Sequence, residues 1–357
     1  MDSLFYNTKW TYEKNFEKGP VGISKLKRPI FKKIRPKFKF LNFEINVPFG
    51  IPAGPLLNSK FIKAAFDFGF SLCTYKTVRS DHFPCHPFPN VVYVDAPEKL
   101  DPLKIKSLKL KNKPKDPKRI SITNSFGVPS KDPEIWQKDL KQALKYETEG
   151  KLLILGFMGT IKKGQTQQQF INDFARTADL AKQTGVKAIE VNLSCPNLEK
   201  EGLVCYDLKT TEKICKSIRK AIGNAPLIVK VGYFNRDKDI EVVAKITNEY
   251  ASAIAAINTM QFSIVDEEGK QALPGSNRLK SGVGGYAIKW AGLEMVSKLS
   301  KIRSKNGYKF EIVGIGGVTN VNDYFEYRKA GAEAVQSATG AMWNPYLASE
   351  IWKKENV

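Results

Sequence analysis

The chain has 357 residues, with 57 Lys and Arg against 36 Asp and Glu, for a net charge of +21. A hydrophobic share of 42% supports a sizeable core and excludes a disordered polycation or a collagen-like rod. No apolar run is long enough to predict a membrane-spanning helix, and the first twenty residues lack the apolar centre expected of a secretion signal.

The charge is uneven. Residues 1–40 hold eleven basic and three acidic side chains, and residues 99–119 hold nine and two, so the basicity belongs mainly to two appendages. Of the cations, 47 are Lys and 10 are Arg. That bias runs against the bidentate guanidinium contacts of nucleic-acid readers, and no nucleic-acid partner is expected. The five cysteines (Cys73, Cys85, Cys195, Cys205 and Cys215) are scattered without a CxxC pair. This pattern fits a reducing, cytoplasmic setting and argues against disulfides or an iron–sulfur cluster. His82, Cys85 and His86 sit in a proline-rich loop without a second ligand cluster, so no metal is expected.

Residues 1–45 read as a basic extension, helical or irregular, wrapped on the body. From residue 49 onward, short apolar runs alternate with segments of helical period. The predicted strands are 49–53, 71–77, 151–157, 188–193, 227–231, 253–258, 311–315 and 334–338. The predicted helices are 59–68, 132–149, 166–184, 208–222, 238–250, 287–303, 320–330 and 343–354. Near-continuous apolar strands alternating with helices imply parallel strands buried on both faces. Eight such units predict an α/β fold, a (β/α)8 TIM barrel over residues 46–357. The rival is an open doubly wound sheet. It is disfavoured because the GxGxxG-like stretch Gly314 to Thr319 lacks its last glycine and follows the seventh strand rather than the first. An insertion after strand two, residues 95–119, alternates apolar and basic residues at 103–106 and 108–111, which predicts a small β-hairpin.

In a barrel the loops after the strands carry the chemistry. Those loops hold Lys76 and Thr77 after strand two, with Asn124 to Pro129 further along the same connection. Asn192 to Asn197, including Cys195, follows strand four. Lys230 lies in strand five, Asn258 and Thr259 end strand six, Gly316 and Gly317 end strand seven, and Ala338 to Gly340 ends strand eight. Several asparagines can read a ring edge of alternating N–H and C=O groups, such as that of a pyrimidinedione. Glycine turns after the last two strands let backbone N–H groups approach a phosphate. A lysine projecting from a strand can stabilise negative charge on a ring, and an accessible cysteine can act as a base.

The block Asn192-Leu193-Ser194-Cys195-Pro196-Asn197 resembles the signature of the dihydroorotate dehydrogenase family. Asn124-Ser125-Phe126-Gly127-Val128-Pro129, Thr74-Tyr75-Lys76-Thr77, Val229-Lys230-Val231 and Asn258-Thr259 resemble further segments of it. Gly282 to Gly285 and Gly314 to Gly317 resemble its flavin phosphate loops. The likeness extends over about residues 45–345. It implies a flavoprotein that oxidises (S)-dihydroorotate to orotate in pyrimidine biosynthesis, with FMN as cofactor and a homodimer as the working form. Cys195 would be the base at C5, and hydride would pass from C6 to flavin N5. Lys76, Asn124, Phe126, Gly127, Val128, Asn192, Asn197, Asn258 and Thr259 would hold the substrate. Ala53, Gly54, Lys76, Thr77, Asn192, Lys230, Gly284, Gly316, Gly317, Ala338 and Thr339 would hold the cofactor. A cysteine base is similar to the cytosolic classes, and a soluble electron acceptor is expected. Ala338 stands where the family usually has glycine.

Two alternatives are kept. Gly202 to Tyr206 and a long loop at 261–283 look like the barrel of dihydropyrimidine dehydrogenase, although that family has histidine at the place of Asn197 and iron–sulfur domains that find no match here. The other is a non-catalytic barrel that binds an anion or nucleic acid through its basic segments.

Overall fold

Eight strands close into a parallel barrel in sequence order: Phe49–Ile51, Leu72–Val78, Leu152–Phe157, Ala188–Asn192, Leu227–Val231, Ala253–Ala256, Glu311–Ile315 and Ala334–Gln336. They are called strands one to eight below. The structure is a computed structural model. It describes residues 3–32, 35–112, 114, 116–194, 204–276 and 278–356.

All eight predicted strands are present, several of them shorter at the C-terminal end. Pro52 has no N–H to extend strand one, so that strand stops at Ile51. The strands are buried on both faces because helices cover the outside. Leu208–Ile222 shows how: Ile214, Cys215, Ile218 and Ile222 recur at helical spacing and are buried, while the opposite face is charged. Gln167–Lys182 starts at a capping box formed by Thr166 and Gln169, and Val321–Lys329 at one formed by Asn320 and Asp323. Such caps satisfy N–H groups that the first helical turn leaves open. The predicted helix at 343–354 divides into a short turn, Thr339–Trp343, and the helix Leu347–Glu355.

The N-terminal end of the barrel is plugged by the antiparallel pair Phe38–Phe40 and Phe43–Ile45. Leu41 and Asn42 between them both take positive φ, 51° and 65°, as the tight turn of a two-residue hairpin requires. Phe40, Leu41 and Ile45 pack on the inward residues Leu72, Leu152, Ile228 and Val313. The Leu41 N–H donates to the Glu311 carboxylate at 3.0 Å.

A second sheet of five strands, in the order Val91–Tyr93, Ser121–Asn124, Lys280–Gly285, Met260–Val265 and Ser107–Lys109, holds residues of the opposite end. Two expectations are corrected by it. The basic insertion forms no hairpin: residues 103–106 are a turn and coil, and Ser107–Lys109 pairs in parallel with Met260–Val265. Alternation in sequence shows that one face is buried, and here Leu108 alone is buried between exposed neighbours. It does not say which strand is the partner. Likewise, residues 261–283 are not one long loop but two strands around a turn.

Candidate active site

At the C-terminal ends of the barrel strands lies one cavity of about 1190 Å³, its open mouth included. Its lining contains Ala53, Gly54, Lys76, Thr77, Asn124, Phe126, Val128, Asn192, Lys230, Asn258, Thr259, Gly284, Gly316, Gly317, Ala338 and Thr339. The residues expected from sequence thus meet in one place, with three exceptions. Gly127 is not in the lining. Its φ is +73°, and a Cβ there would come within 2.5 Å of the His86 ring, so it lets the loop fold against His86. Cys195 and Asn197 lie outside the described residues.

Two buried cations face the cavity from the barrel wall. Lys76 on strand two is 6% exposed, and its ammonium stands 5.6 Å from the Tyr12 ring. Lys230 on strand five is 2% exposed. Its ammonium lies 3.6 Å from Glu190 Oε1 on strand four. Burial pushes the Glu190 carboxyl up, and the Lys230 charge opposes that shift.

The asparagines are partly engaged with each other. Asn192 Oδ1 accepts from Ser194 N at 3.1 Å and from Asn258 Nδ2 at 3.3 Å. Asn258 Nδ2 also donates to the Ser194 carbonyl, and its Oδ1 accepts from Thr259 N at 2.9 Å. Asn258 therefore braces the turn that leads into residues 195–203.

The glycine turns after strands seven and eight sit against each other. Gly316 and Gly317 take φ of +128° and +65°. A Cβ at Gly317 would fall 2.6 Å from Lys289 Cβ, and one at Gly340 would fall 2.1 Å from the Val318 carbonyl. Ser337 Oγ donates to the Val318 carbonyl at 2.6 Å and accepts from Ala341 N at 3.2 Å, which ties the turns together. Ala338 is accommodated because its φ and ψ, −91° and −71°, are right-handed. Glycine is not needed there.

Three features were missed from sequence. Tyr6, from the N-terminal segment, lines the cavity. Among the described residues its buried hydroxyl has no hydrogen-bond partner within ordinary distance. The other two are Arg79 and Arg278, both fully buried. Arg79 holds one end of the 124–129 loop, donating to the Val128 carbonyl at 3.1 Å and to Thr160 Oγ1 at 2.7 Å. Arg278 holds the other end, donating to the carbonyls of Pro87 at 2.7 Å, Pro274 at 2.6 Å, Pro89 at 3.0 Å and Ser125 at 3.1 Å. A guanidinium offers five donors in a fixed fork, so it can satisfy several carbonyls at once. The scarcity of Arg in this Lys-rich chain was the one available signal.

Comparisons with known proteins show the family and the fold. The family model described as dihydroorotate dehydrogenase matches residues 36–355. A dihydroorotate dehydrogenase from Dictyostelium discoideum is 35% identical over 366 aligned residues, 98% of this chain and 97% of that protein. The catalytic subunit of a dihydroorotate dehydrogenase B (NAD(+)) from Maridesulfovibrio salexigens is 35% identical over 175 residues, 48% of this chain and 54% of that one. A solved structure of a ligand-free DHODH from Eimeria tenella superposes with a TM-score of 0.72 at 16% identity, over 92% of this chain and 89% of that one, and supports the fold. With a family match along most of its length and a relative 35% identical from end to end, the chain belongs to the dihydroorotate dehydrogenase family.

Proposed function

We propose that this chain oxidises (S)-dihydroorotate to orotate with FMN as its cofactor. The observation that carries the reading is the convergence of Lys76, Lys230, Asn192 and the paired glycine turns on one cavity. The residues present suit FMN. Backbone rather than side chain borders the cavity at Gly54, Gly284, Gly316 and Gly317, where a phosphate can be approached closely. Ala53, Ile257 and Ile315 give an apolar lining for a flat ring. Two buried ammonium groups supply the positive charge that an anionic cofactor and a carboxylate substrate need.

Bound FMN would supply the hydride acceptor. The chain does the rest. Lys76, Asn124, Asn192, Asn197 and Thr259 hold and orient the substrate, with Phe126 and Val128 as apolar walls. Gly127 sets the path of their loop. Asn258 acts on the substrate side by fixing the turn before Cys195. Cys195 removes the C5 proton. Lys230, Thr77 and the turns at Gly284, Gly316, Gly317, Ala338 and Thr339 hold the cofactor. Among the described residues no helix is long and apolar enough to cross a membrane. Work in the cytoplasm, as a homodimer and with a soluble acceptor, completes the reading and rests on the resemblance.

The test is anaerobic. Purified protein should be yellow and should bleach when dihydroorotate is added. A colourless protein that takes up no FMN overturns the proposal. Bleaching by dihydrouracil and not by dihydroorotate selects the dihydropyrimidine alternative. That reading finds less support, since the family match and the named relatives point to dihydroorotate.

A further inference from the structure

We propose that Glu190 is a positioning residue that keeps the Lys230 ammonium charged in the wall of the cofactor cavity and so sets the reduction potential of the bound flavin. The inference rests on the FMN reading above. It starts from placement: Asn192 stands opposite Lys230 across strands four and five, and Glu190 lies two residues before Asn192 on the same face. Glu190 is therefore one layer deeper in the barrel than the cavity, whose lining includes Asn192 and Lys230 but not Glu190. Both members of the pair are almost entirely removed from solvent.

A buried ammonium is costly unless it is paired. Lys230 has Glu190 as its ion-pair partner among the described residues. The other charged groups of this region do not replace it. Lys76, on strand two, has the same sign. Glu311 is held at the far end of the barrel by the Leu41 N–H. For its part, Glu190 has Lys230 as the charged group that bears on it, and its Oε1 accepts no hydrogen bond of ordinary geometry. A carboxylate devoted to packing or to hydrogen bonding would have its acceptors filled. Among the described residues, Oε1 is faced instead by the charge of Lys230.

The consequence is electrostatic. Reduction adds negative charge to the flavin, and a fixed cation in a dry site stabilises that charge far more than a solvated one does. The attraction of an ionised Glu190 favours the charged form of Lys230. With a neutral residue in its place, burial favours the uncharged amine and Lys230 titrates.

The experiment is a spectroelectrochemical titration of FMN bound to the full-length protein, in wild type, Glu190→Gln, Lys230→Met and the double variant, from pH 6 to 9. In Glu190→Gln the potential should fall more steeply with pH than in wild type. The two curves should cross, with the variant harder to reduce at the alkaline end. There the reduced-to-oxidised ratio at a fixed potential should fall about tenfold, one pH unit's worth of lost protonation. In the Lys230→Met background, Glu190→Gln should change nothing further. Parallel wild-type and Glu190→Gln curves, a variant easier to reduce at every pH, or an undiminished effect in the Lys230→Met background would each overturn the inference. If Glu190→Gln does not fold, Glu190→Asp keeps the charge at a longer reach and should lie between wild type and Lys230→Met; potentials equal to wild type at every pH would count against it. A protein that binds no FMN would instead defeat the FMN reading itself.

Discussion

Tyr6 meets Phe126 edge to face, with ring centroids 5.5 Å apart. Tyr12 approaches the same Phe126 ring at 6.2 Å and lies 5.6 Å from the Lys76 ammonium. The start of the chain is thus built into the wall of the cavity, next to a loop and a lysine that carry the proposed chemistry. The basic segment that looked like an appendage contributes aromatic rings to the site, while its lysines lie mostly on the surface.

The state of the Tyr6 hydroxyl separates two variants. Tyr6→Phe removes a buried hydroxyl with no partner at ordinary distance among the described residues, so the melting temperature should stay unchanged or rise slightly. Tyr6→Ala removes the ring and should cost roughly 3 kcal/mol. It should also raise the KM for dihydroorotate by loosening Phe126. Thermal denaturation and steady-state kinetics of both variants check this. Equal losses in the two would mean that the hydroxyl has a partner in solution.

Gly317 and Gly307 offer a second comparison. Both have φ near +65°, but a Cβ at Gly307 meets open space, whereas one at Gly317 meets Lys289 at 2.6 Å. Gly307→Ala should cost about 1 kcal/mol, the left-handed penalty alone, and leave FMN affinity intact. Gly317→Ala should cost more and weaken FMN binding at least tenfold, because the turn must shift. Fluorescence titration of FMN against each apoprotein is the measurement.

The barrel was legible because its signal is local and repeated. Each strand is a short apolar run and each helix a periodic one, and neither needs knowledge of its neighbours. The loop ends were legible for the same reason: once strand order is known, Lys76, Asn192, Lys230 and Gly316 must share one end. What could not be read depends on long-range pairing. Ser107–Lys109 alternates correctly, but its partner is 156 residues away in sequence, at Ser263 to Val265. Arg79 and Arg278 look like surface cations in a chain with 57 of them, and only the fold shows that carbonyls converge on them. Tyr6 sits in a segment with no periodicity at all, so nothing tied it to the cavity.

His86 makes stability depend on pH. Burial, aided by the nearby Arg278 charge, pushes its imidazole from 6.5 down to about 4. Between these values the unfolded chain binds a proton that the native state does not, so stability is complete above pH 6.5 and is lost as pH falls toward 4. Urea unfolding at pH 7 and pH 5 should show a smaller loss in His86→Asn than in wild type. The same loss in both proteins would place the acid sensitivity elsewhere.

Arg278 closes this chain of dependence. It satisfies four carbonyls around the 87–90 and 274–278 segments and Ser125, and it is the cation named above as acting on His86. Arg278→Met keeps the volume but leaves those carbonyls without a donor. It should destabilise the protein by about 1–3 kcal/mol, the cost of leaving a buried acceptor without its donor. The same change removes a like charge from beside His86. The imidazole pKa should therefore rise, but only part of the way to 6.5, since burial is the larger cause. The chain has two histidines, so a His82→Gln background leaves one imidazole resonance to follow by NMR titration. An unshifted His86 in Arg278→Met would show that the loop relaxes away from the cation, and that the two residues are coupled by packing and not by charge.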